Sequence, residues 1–266
     1  MTYQSKVMTV YILGLFMTII DGTMVNVALP TMAKDFGVPT TEIEWVAIGY
    51  LLTYAAVIPA AGWLGDRFGT RKVFIAALAV FVATSLMCGM AQTLDQLIAF
   101  RILQGLGAGL VTPIGAAMLY RAFPMEERAR ATIGVLSVAV IAPAIGPMLG
   151  GILVDTASWH WIFLINGPIG AVAIFLSVAW LDETRHQAPG RFDIAGFVLS
   201  GVSVGIFLYT LSIGPDRGWF SPYTLSFAAA GIIAAAALII IELRIAEPIL
   251  TLRLFGDRLF RTINIS

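Results

Sequence analysis

The sequence predicts an all-α protein, a bundle of helices that crosses a membrane several times. Hydrophobic residues make up 59% of the 266-residue chain and charged residues 12%, whereas soluble proteins have roughly 45–50% and 25%. Eight apolar runs of roughly 20 residues, long enough to cross about 30 Å of hydrocarbon, follow one another with short connections. We therefore expect a polytopic transmembrane helix bundle whose function lies in the spans themselves.

Each apolar run predicts one span. The spans are Val7 to Leu29, Trp45 to Trp63, Val73 to Ala91, Leu97 to Leu119, Thr132 to Leu153, Trp161 to Leu181, Ile194 to Gly214 and Thr224 to Leu243. The first run is too long for a signal-peptide core and lacks a clear cleavage pattern, so it counts as span one. We expect a six-helix bundle over 1–181, a cytoplasmic linker over 182–193 and a separate helix pair over 194–243. Residues 244–266 would then hold a cytoplasmic segment and the start of a truncated ninth span.

The basic residues predict the orientation. With the N-terminus in the cytoplasm, thirteen of the sixteen Lys and Arg residues fall in cytoplasmic segments, only Lys34 and Arg217 fall outside, and Arg101 lies within a span. Cytoplasmic loops carry an excess of Lys and Arg, so both ends of the chain are expected in the cytoplasm, with the spans in the cell membrane. The net charge is +0, which argues against a nucleic-acid partner. One cysteine and two distant histidines predict no disulfide, metal site or cofactor.

Two ionisable residues lie inside predicted spans. Asp21 is deep in span one, where a charge costs on the order of 3 kcal/mol unless it faces a partner or a water-filled cavity, and it shares a polar stripe with Thr18 and Asn26. It is either a protonatable or cation-binding group, or a structural hydrogen-bond partner of a neighbouring helix. Arg101 either snorkels to the outer headgroups or faces the bundle, because glycines at i, i+4 spacing share its helix face. The depths of the two residues allow an Asp21–Arg101 relay.

Span five contains two stripes of small residues at i, i+4 spacing. Gly146 and Gly150 belong to one stripe, and Pro147 and Gly151 belong to the other. Glycine allows close helix contact, and proline removes a backbone donor and favours a bend. The stripes predict either a packing seam alone or a conformational hinge.

The loop between spans two and three combines charge with glycine. Between Gly62 and Lys72 it holds Asp66, three basic residues and three glycines. Basic residues alone would satisfy membrane topology, but topology requires neither Asp66 nor glycines that allow a tight turn. We favour a charge latch that closes against a neighbouring helix end over a plain topology determinant.

Five motifs occur in order on these predicted elements. They are Ile20-Asp21-x-Thr23-x-Val25-Asn26-Val27-Ala28-Leu29-Pro30, Gly62-x-Leu64-x-Asp66-Arg67-x-Gly69-x-Arg71-Lys72, Arg101-x-x-Gln104-Gly105-x-Gly107-Ala108-Gly109, Gly146-Pro147-x-x-Gly150-Gly151 and Trp159-His160-Trp161-Ile162-Phe163-x-Ile165-Asn166-x-Pro168-x-Gly170. In these motifs the chain resembles drug:proton antiporters of the major facilitator superfamily, of the fourteen-span EmrB/QacA-like type. One departure is Ala142, where the span-five motif often begins with glycine.

The resemblance implies a mechanism and roles for named residues. Two six-helix bundles would rock about a midplane cavity, with proton entry driving drug exit. The residues implied are Asp21 and Arg101 for proton coupling; Gly62, Asp66, Arg67, Gly69 and Arg71 for a cytoplasmic latch; Gly146, Pro147, Gly150 and Gly151 for the bend of an antiporter; and Asn26 and Gln104 as candidates for the substrate cavity. With eight of fourteen spans, the chain is expected to be the N-terminal part of such a transporter.

The predicted function is proton-coupled export of drugs or other small amphipathic molecules by alternating access. The expected partners are a drug-like substrate, protons, the lipid bilayer, the missing C-terminal half and, where the source cell has two membranes, a periplasmic adaptor. Two alternatives stay open: a non-transporting sensor or assembly subunit, and a proton-coupled uptake carrier. An enzyme is not expected, because no His, Cys or acid pair accompanies the two deeply placed charges.

Overall fold

The computed structural model describes residues 1–184, 190–245, 247–250 and 253, and within these ranges it is helical with no strand. Its helices are α1 Tyr3–Phe36, α2 Thr40–Ile43, α3 Trp45–Val57, α4 Ala60–Phe68, α5 Thr70–Cys88, α6 Leu94–Ala122, α7 Arg128–Thr156, α8 His160–Leu164, α9 Asn166–Trp180, α10 Ile194–Arg217 and α11 Pro222–Arg244. The predicted all-α class is confirmed. The predicted start of a ninth span lies outside the described residues, as do Arg185, His186, Arg258 and Arg261.

The helices account for all eight predicted spans. Seven of the described helical segments are long and apolar enough to cross a membrane, with α8 and α9 together forming one of them. At the remaining predicted position, the segment containing α3 and the following α4 are together long and apolar enough, and they meet at an angle of 59° around Pro59. Proline removes a backbone donor and clashes with the preceding turn, which explains a break at this position.

The helix ends differ from the span ends that hydropathy predicts. Helix α1 continues beyond Leu29 and Pro30 to Phe36, where Gly37 adopts a left-handed φ of 65° and donates its N–H to the carbonyls of Ala33 and Lys34. Hydropathy marks only the apolar part of a helix, and polar residues beyond it can continue the same backbone hydrogen bonds.

The predicted tight turn from Gly62 to Lys72 is wrong for most of its length. Gly62 lies inside α4, and a Cβ there would meet no atom within 4 Å, so no turn requires this glycine. The turn is confined to Gly69, which has a φ of 97° and lies between α4 and α5. A side chain at Gly69 would also overlap the carboxyl group of Glu183. The turn therefore requires glycine at position 69 and not at position 62.

Helices α1 and α6 form the centre of the bundle. Helix α1 contacts α6, α7 and α9, whereas α6 packs between α3 and α5; α10 and α11 pack on each other, and α10 also contacts α3. At Gly105 of α6 a Cβ would overlap the backbone of Tyr50, so the absence of a side chain lets α6 approach α3 closely. Two apolar clusters fill the interior, one including Met17 and Phe81 and the other including Met24 and Leu97. A layer of buried polar residues lies between them.

Candidate functional site

An ion pair lies at the centre of the polar layer. Arg101 Nη1 donates to Asp21 Oδ2 at 2.6 Å, and the two side chains are 1% and 0% exposed. Helix α1 supplies the carboxylate and α6 the guanidinium. The structure therefore brings together the two ionisable residues that sequence reasoning singled out. Because Arg101 is buried against Asp21, the alternative in which it snorkels to the outer headgroups is wrong.

Two side-chain amides complete the hydrogen bonding of Asp21. Gln104 Nε2 donates to Asp21 Oδ1 at 3.1 Å, and Gln104 Oε1 accepts from Arg101 Nη1 at 2.7 Å. Asn166 Nδ2 donates to Asp21 Oδ1 at 2.9 Å and to Ser85 Oγ at 3.0 Å. All these side chains are buried. Sequence reasoning did not assign Asn166 or Ser85 to the site, although a polar residue in an apolar span is a signal that could have found both.

The rest of the Arg101 side chain is held by groups on other helices. Its Nε donates to the carbonyl of Val46 at 3.2 Å, and its guanidinium carbon lies 4.0 Å from the ring centroid of Tyr50, a cation–π contact. Both residues belong to α3. Removing one partner of a buried ion pair costs about 3–5 kcal/mol, because the other charge stays buried without compensation. A change in the charge of Asp21 therefore bears directly on how α1, α3 and α6 pack.

A cavity of about 280 Å³ reaches the ion pair from one side. Arg101 and Tyr50 lie on its wall with Asn26, Thr18 and Thr23 of α1. Asn26 is a predicted cavity residue that does line this cavity, and it is exposed there. Gln104, in contrast, is fully buried beneath it, within the network around Asp21.

The two small-residue stripes of span five face in different directions. Gly146 and Gly150 are buried against α1, where a Cβ at Gly146 would overlap the Thr23 side chain and a Cβ at Gly150 would lie 3.1 Å from the Cα of Met24. Pro147 is exposed, and a Cβ at Gly151 would meet no atom within 4 Å. Helix α7 nevertheless continues unbroken through Pro147. Only the first stripe is a packing seam within the described residues.

The loop motif from Gly62 to Lys72 contacts two other parts of the bundle. Asp66 Oδ1 accepts from Arg121 Nη2 at 3.3 Å, with both side chains about one-third exposed at 35% and 34%. Arg71 Nη2 donates to the carbonyl of Val178 at 2.5 Å. Arg67 is exposed and takes part in neither of the two salt bridges among the described residues. Arg121, at the end of α6, is the partner of Asp66 that sequence reasoning missed.

Known proteins resemble this chain in both sequence and fold. Multidrug resistance protein MdtD of Salmonella heidelberg is 40% identical over 94% of this chain and 52% of its own length, and the Salmonella typhimurium protein of the same name gives the same values. The chain thus spans about half the length of these relatives. The crystal structure of the human organic anion transporter MFSD10 (TETRAN) superposes with a TM-score of 0.59 at 17% identity, covering 90% of this chain and 72% of that one. At that identity the likeness concerns the fold alone.

The family model that matches the chain covers nearly all of it. The model describes the Major Facilitator Superfamily and matches residues 11–263. The expected membership, the multi-pass membrane location and the exclusion of an enzyme are confirmed on these grounds. The chain belongs to the Major Facilitator Superfamily.

Proposed function

We propose that this chain is the N-terminal part of a transporter that exports drugs or other small amphipathic molecules in exchange for protons. The observation that carries the proposal is the buried Asp21–Arg101 ion pair at the wall of a cavity. A buried carboxylate that can gain a proton is the group that coupling requires, and the cavity gives substrate and proton a common place to act. The relatives named as multidrug resistance proteins support the choice of substrate class.

In this mechanism, protonation of Asp21 breaks its charge pairing with Arg101. The neutral acid keeps hydrogen bonds to the amides of Gln104 and Asn166, whereas the guanidinium loses its counter-charge. The ion pair joins α1 to α6, so its loss favours a different packing of these helices, as alternating access requires. Release of the proton would restore the pair and reset the transporter.

The exposed stripe of α7 supports a second bundle as the partner of this one. On this stripe Ala139, Pro143 and Pro147 are exposed, and a Cβ at Gly151 would meet no atom within 4 Å. We propose that the stripe and the cavity wall face a second six-helix bundle, with residues 194–243 as an additional helix pair and the N-terminus in the cytoplasm. Movement of that bundle along the stripe would make α7 a hinge.

Transport in sealed vesicles tests the proposal and separates it from the alternatives. The longer protein, with its second bundle, would be inserted in vesicles containing ethidium, a fluorescent amphipathic cation, under an imposed pH gradient. Dye movement opposite to proton flow would support export, and movement with the protons would support an uptake carrier. No movement under a gradient of either sign would favour a sensor or assembly subunit. A second dye of negative charge, carboxyfluorescein, would show whether substrate charge decides the result.

The Asp66–Arg121 pair yields a prediction about the latch. Asp66→Asn should weaken the closed state on the cytoplasmic side, because the amide cannot form the ion pair with Arg121. We expect faster labelling of a reporter cysteine placed at Leu51, on the cavity wall, by a thiol reagent added on the cytoplasmic side, in a protein whose Cys88 is replaced by serine. Glu126→Gln, an exposed acid just beyond the end of α6 and outside both salt bridges of the described residues, is the matched control. An unchanged labelling rate in Asp66→Asn would indicate that the charges of this loop only set the membrane topology.

A further inference from the structure

Two buried carboxyl groups meet at one end of the α10–α11 hairpin. Asp193 precedes α10 and caps it, because its Oδ1 accepts the N–H of Gly196 at 2.8 Å. Glu242, in the last turn of α11, is 0% exposed, and its Oε2 accepts the N–H of Leu250 at 3.1 Å. Each carboxyl group thus has one oxygen engaged.

The other oxygen of each carboxyl group has no hydrogen-bond partner among the described residues. These atoms, Asp193 Oδ2 and Glu242 Oε1, are both buried, and the Asp193 side chain as a whole is only 9% exposed. A Cβ built at Gly196 would overlap both of them. The two free oxygens therefore converge on one small space, which the absence of a side chain at Gly196 keeps open.

No positive charge within the described residues pairs with either carboxyl group. The two salt bridges found there, Arg101–Asp21 and Arg121–Asp66, involve neither Asp193 nor Glu242. Among the residues that the structure describes, the other charged side chains at this end of the hairpin are Asp66 on α4, Arg191 in the linker, Arg244 at the end of α11, and Glu247 and Arg253 beyond it. The Arg253 guanidinium donates to the carbonyls of Leu243 and Ile245, and Glu247 accepts the N–H of Arg191.

We propose that Asp193 and Glu242 form a proton-binding site, in which one proton is shared between Asp193 Oδ2 and Glu242 Oε1. Two ionised carboxylates in one buried space repel each other, and a single proton converts the repulsion into a hydrogen bond. A divalent metal fits less well, because hard cations take six or more oxygen ligands. In the described part of the chain no cluster of three or more His, Cys, Asp or Glu side chains occurs.

The site is separate from Asp21 and is connected to the loop motif. Asp193 lines a cavity of about 330 Å³ together with Asp66 and Glu247, which gives a proton a polar route to it. Beside that cavity, Trp63 of α4 donates its indole N–H to the carbonyl of Gly190 at 2.9 Å. Loss of the shared proton would push the start of α10 away from the end of α11. Binding of the proton would therefore hold the hairpin ends together next to α4.

Infrared spectroscopy of the purified chain in lipid nanodiscs tests the site directly. At neutral pH we expect a carbonyl stretching band of a protonated carboxylic acid that is lost in Glu242→Gln and kept in Glu126→Gln, the control at an exposed acid outside this cavity. Raising the pH should remove the band and lower the melting temperature by several degrees. Glu242→Gln, whose amide can donate to Asp193 without a proton to lose, should melt at a temperature that depends less on pH.

The wild-type spectrum decides the proposal even where a variant folds poorly. If the wild-type band is absent throughout the mildly acidic to alkaline range, the pair does not hold a proton. Stabilisation of the wild type by added Ca²⁺ or Mg²⁺, reversed by a chelator, together with the absence of the band, would instead show that a metal cation neutralises the pair. These outcomes do not depend on transport, so they are distinguishable from failure of the proposed function.

Discussion

Asp21→Asn, made in the longer transporter that we propose, with its second bundle, is expected to abolish proton-driven export. The amide preserves the shape of the side chain and can accept from Gln104, but it can neither bind nor release a proton at working pH. It also leaves Arg101 buried without a counter-charge, where the carboxylate now lies 2.6 Å away. Export of dye from sealed vesicles should fall to the rate without a pH gradient. Asp21→Glu, which retains an ionisable group, should keep part of the activity.

Matched variants separate loss of coupling from loss of stability. The single variant should be destabilised by about 3–5 kcal/mol, the usual cost of leaving one member of a buried pair unpaired. Asp21→Asn combined with Arg101→Gln removes both charges, so it should regain much of the stability without regaining export. Asp95→Asn, an exposed acid in the first turn of α6, is the control and should export normally. Normal export by the single Asp21→Asn variant would contradict a coupling role.

Hydropathy predicted the spans because the cost of placing polar residues in hydrocarbon acts on each helix separately. The same cost predicted that Asp21 would need a partner, and Arg101 was the one deeply placed base able to supply it. The positions of Gln104 and Asn166 depend instead on how three helices pack around one carboxylate. No pattern along a single helix contains that information, so the sequence alone assigned Gln104 to the cavity wall and left Asn166 out of the site.

The acid pair shows where hydropathy fails for a different reason. Glu242 lies in the last turn of α11, where a charged residue is ordinarily taken to reach the membrane surface. Asp193 is separated from it by a whole helical hairpin. Their convergence depends on the length of the hairpin and on the lack of a side chain at Gly196. A local reading of the sequence treats both as residues at span ends and therefore misses their burial.

Alanine at each glycine of the span-five motif should reveal which face of α7 is packed. Alanine normally stabilises a helix relative to glycine by roughly 0.5–1 kcal/mol, and at Gly151, with no atom within 4 Å of a new Cβ, this gain should be realised. At Gly146 and Gly150 the new methyl group would meet Thr23 and Met24 of α1, and overpacking typically costs about 1–3 kcal/mol. Melting temperatures should therefore fall for these two variants and rise or stay constant for Gly151→Ala.

The seam between α1 and α7 also supports the site, so the same variants should affect transport. Thr23 and Met24 lie within one helical turn of Asp21 on α1, and a shift of α1 away from α7 would move the carboxylate relative to Arg101 on α6. Gly150→Ala meets backbone atoms and has no simple relief, whereas Gly146→Ala meets mainly the Thr23 side chain. Adding Thr23→Ala should consequently restore part of the stability and export of Gly146→Ala, but none of those of Gly150→Ala. Equal losses at Gly146, Gly150 and Gly151 would instead indicate that α7 needs glycine for bending on all sides, which is the behaviour of a hinge rather than of a one-sided seam.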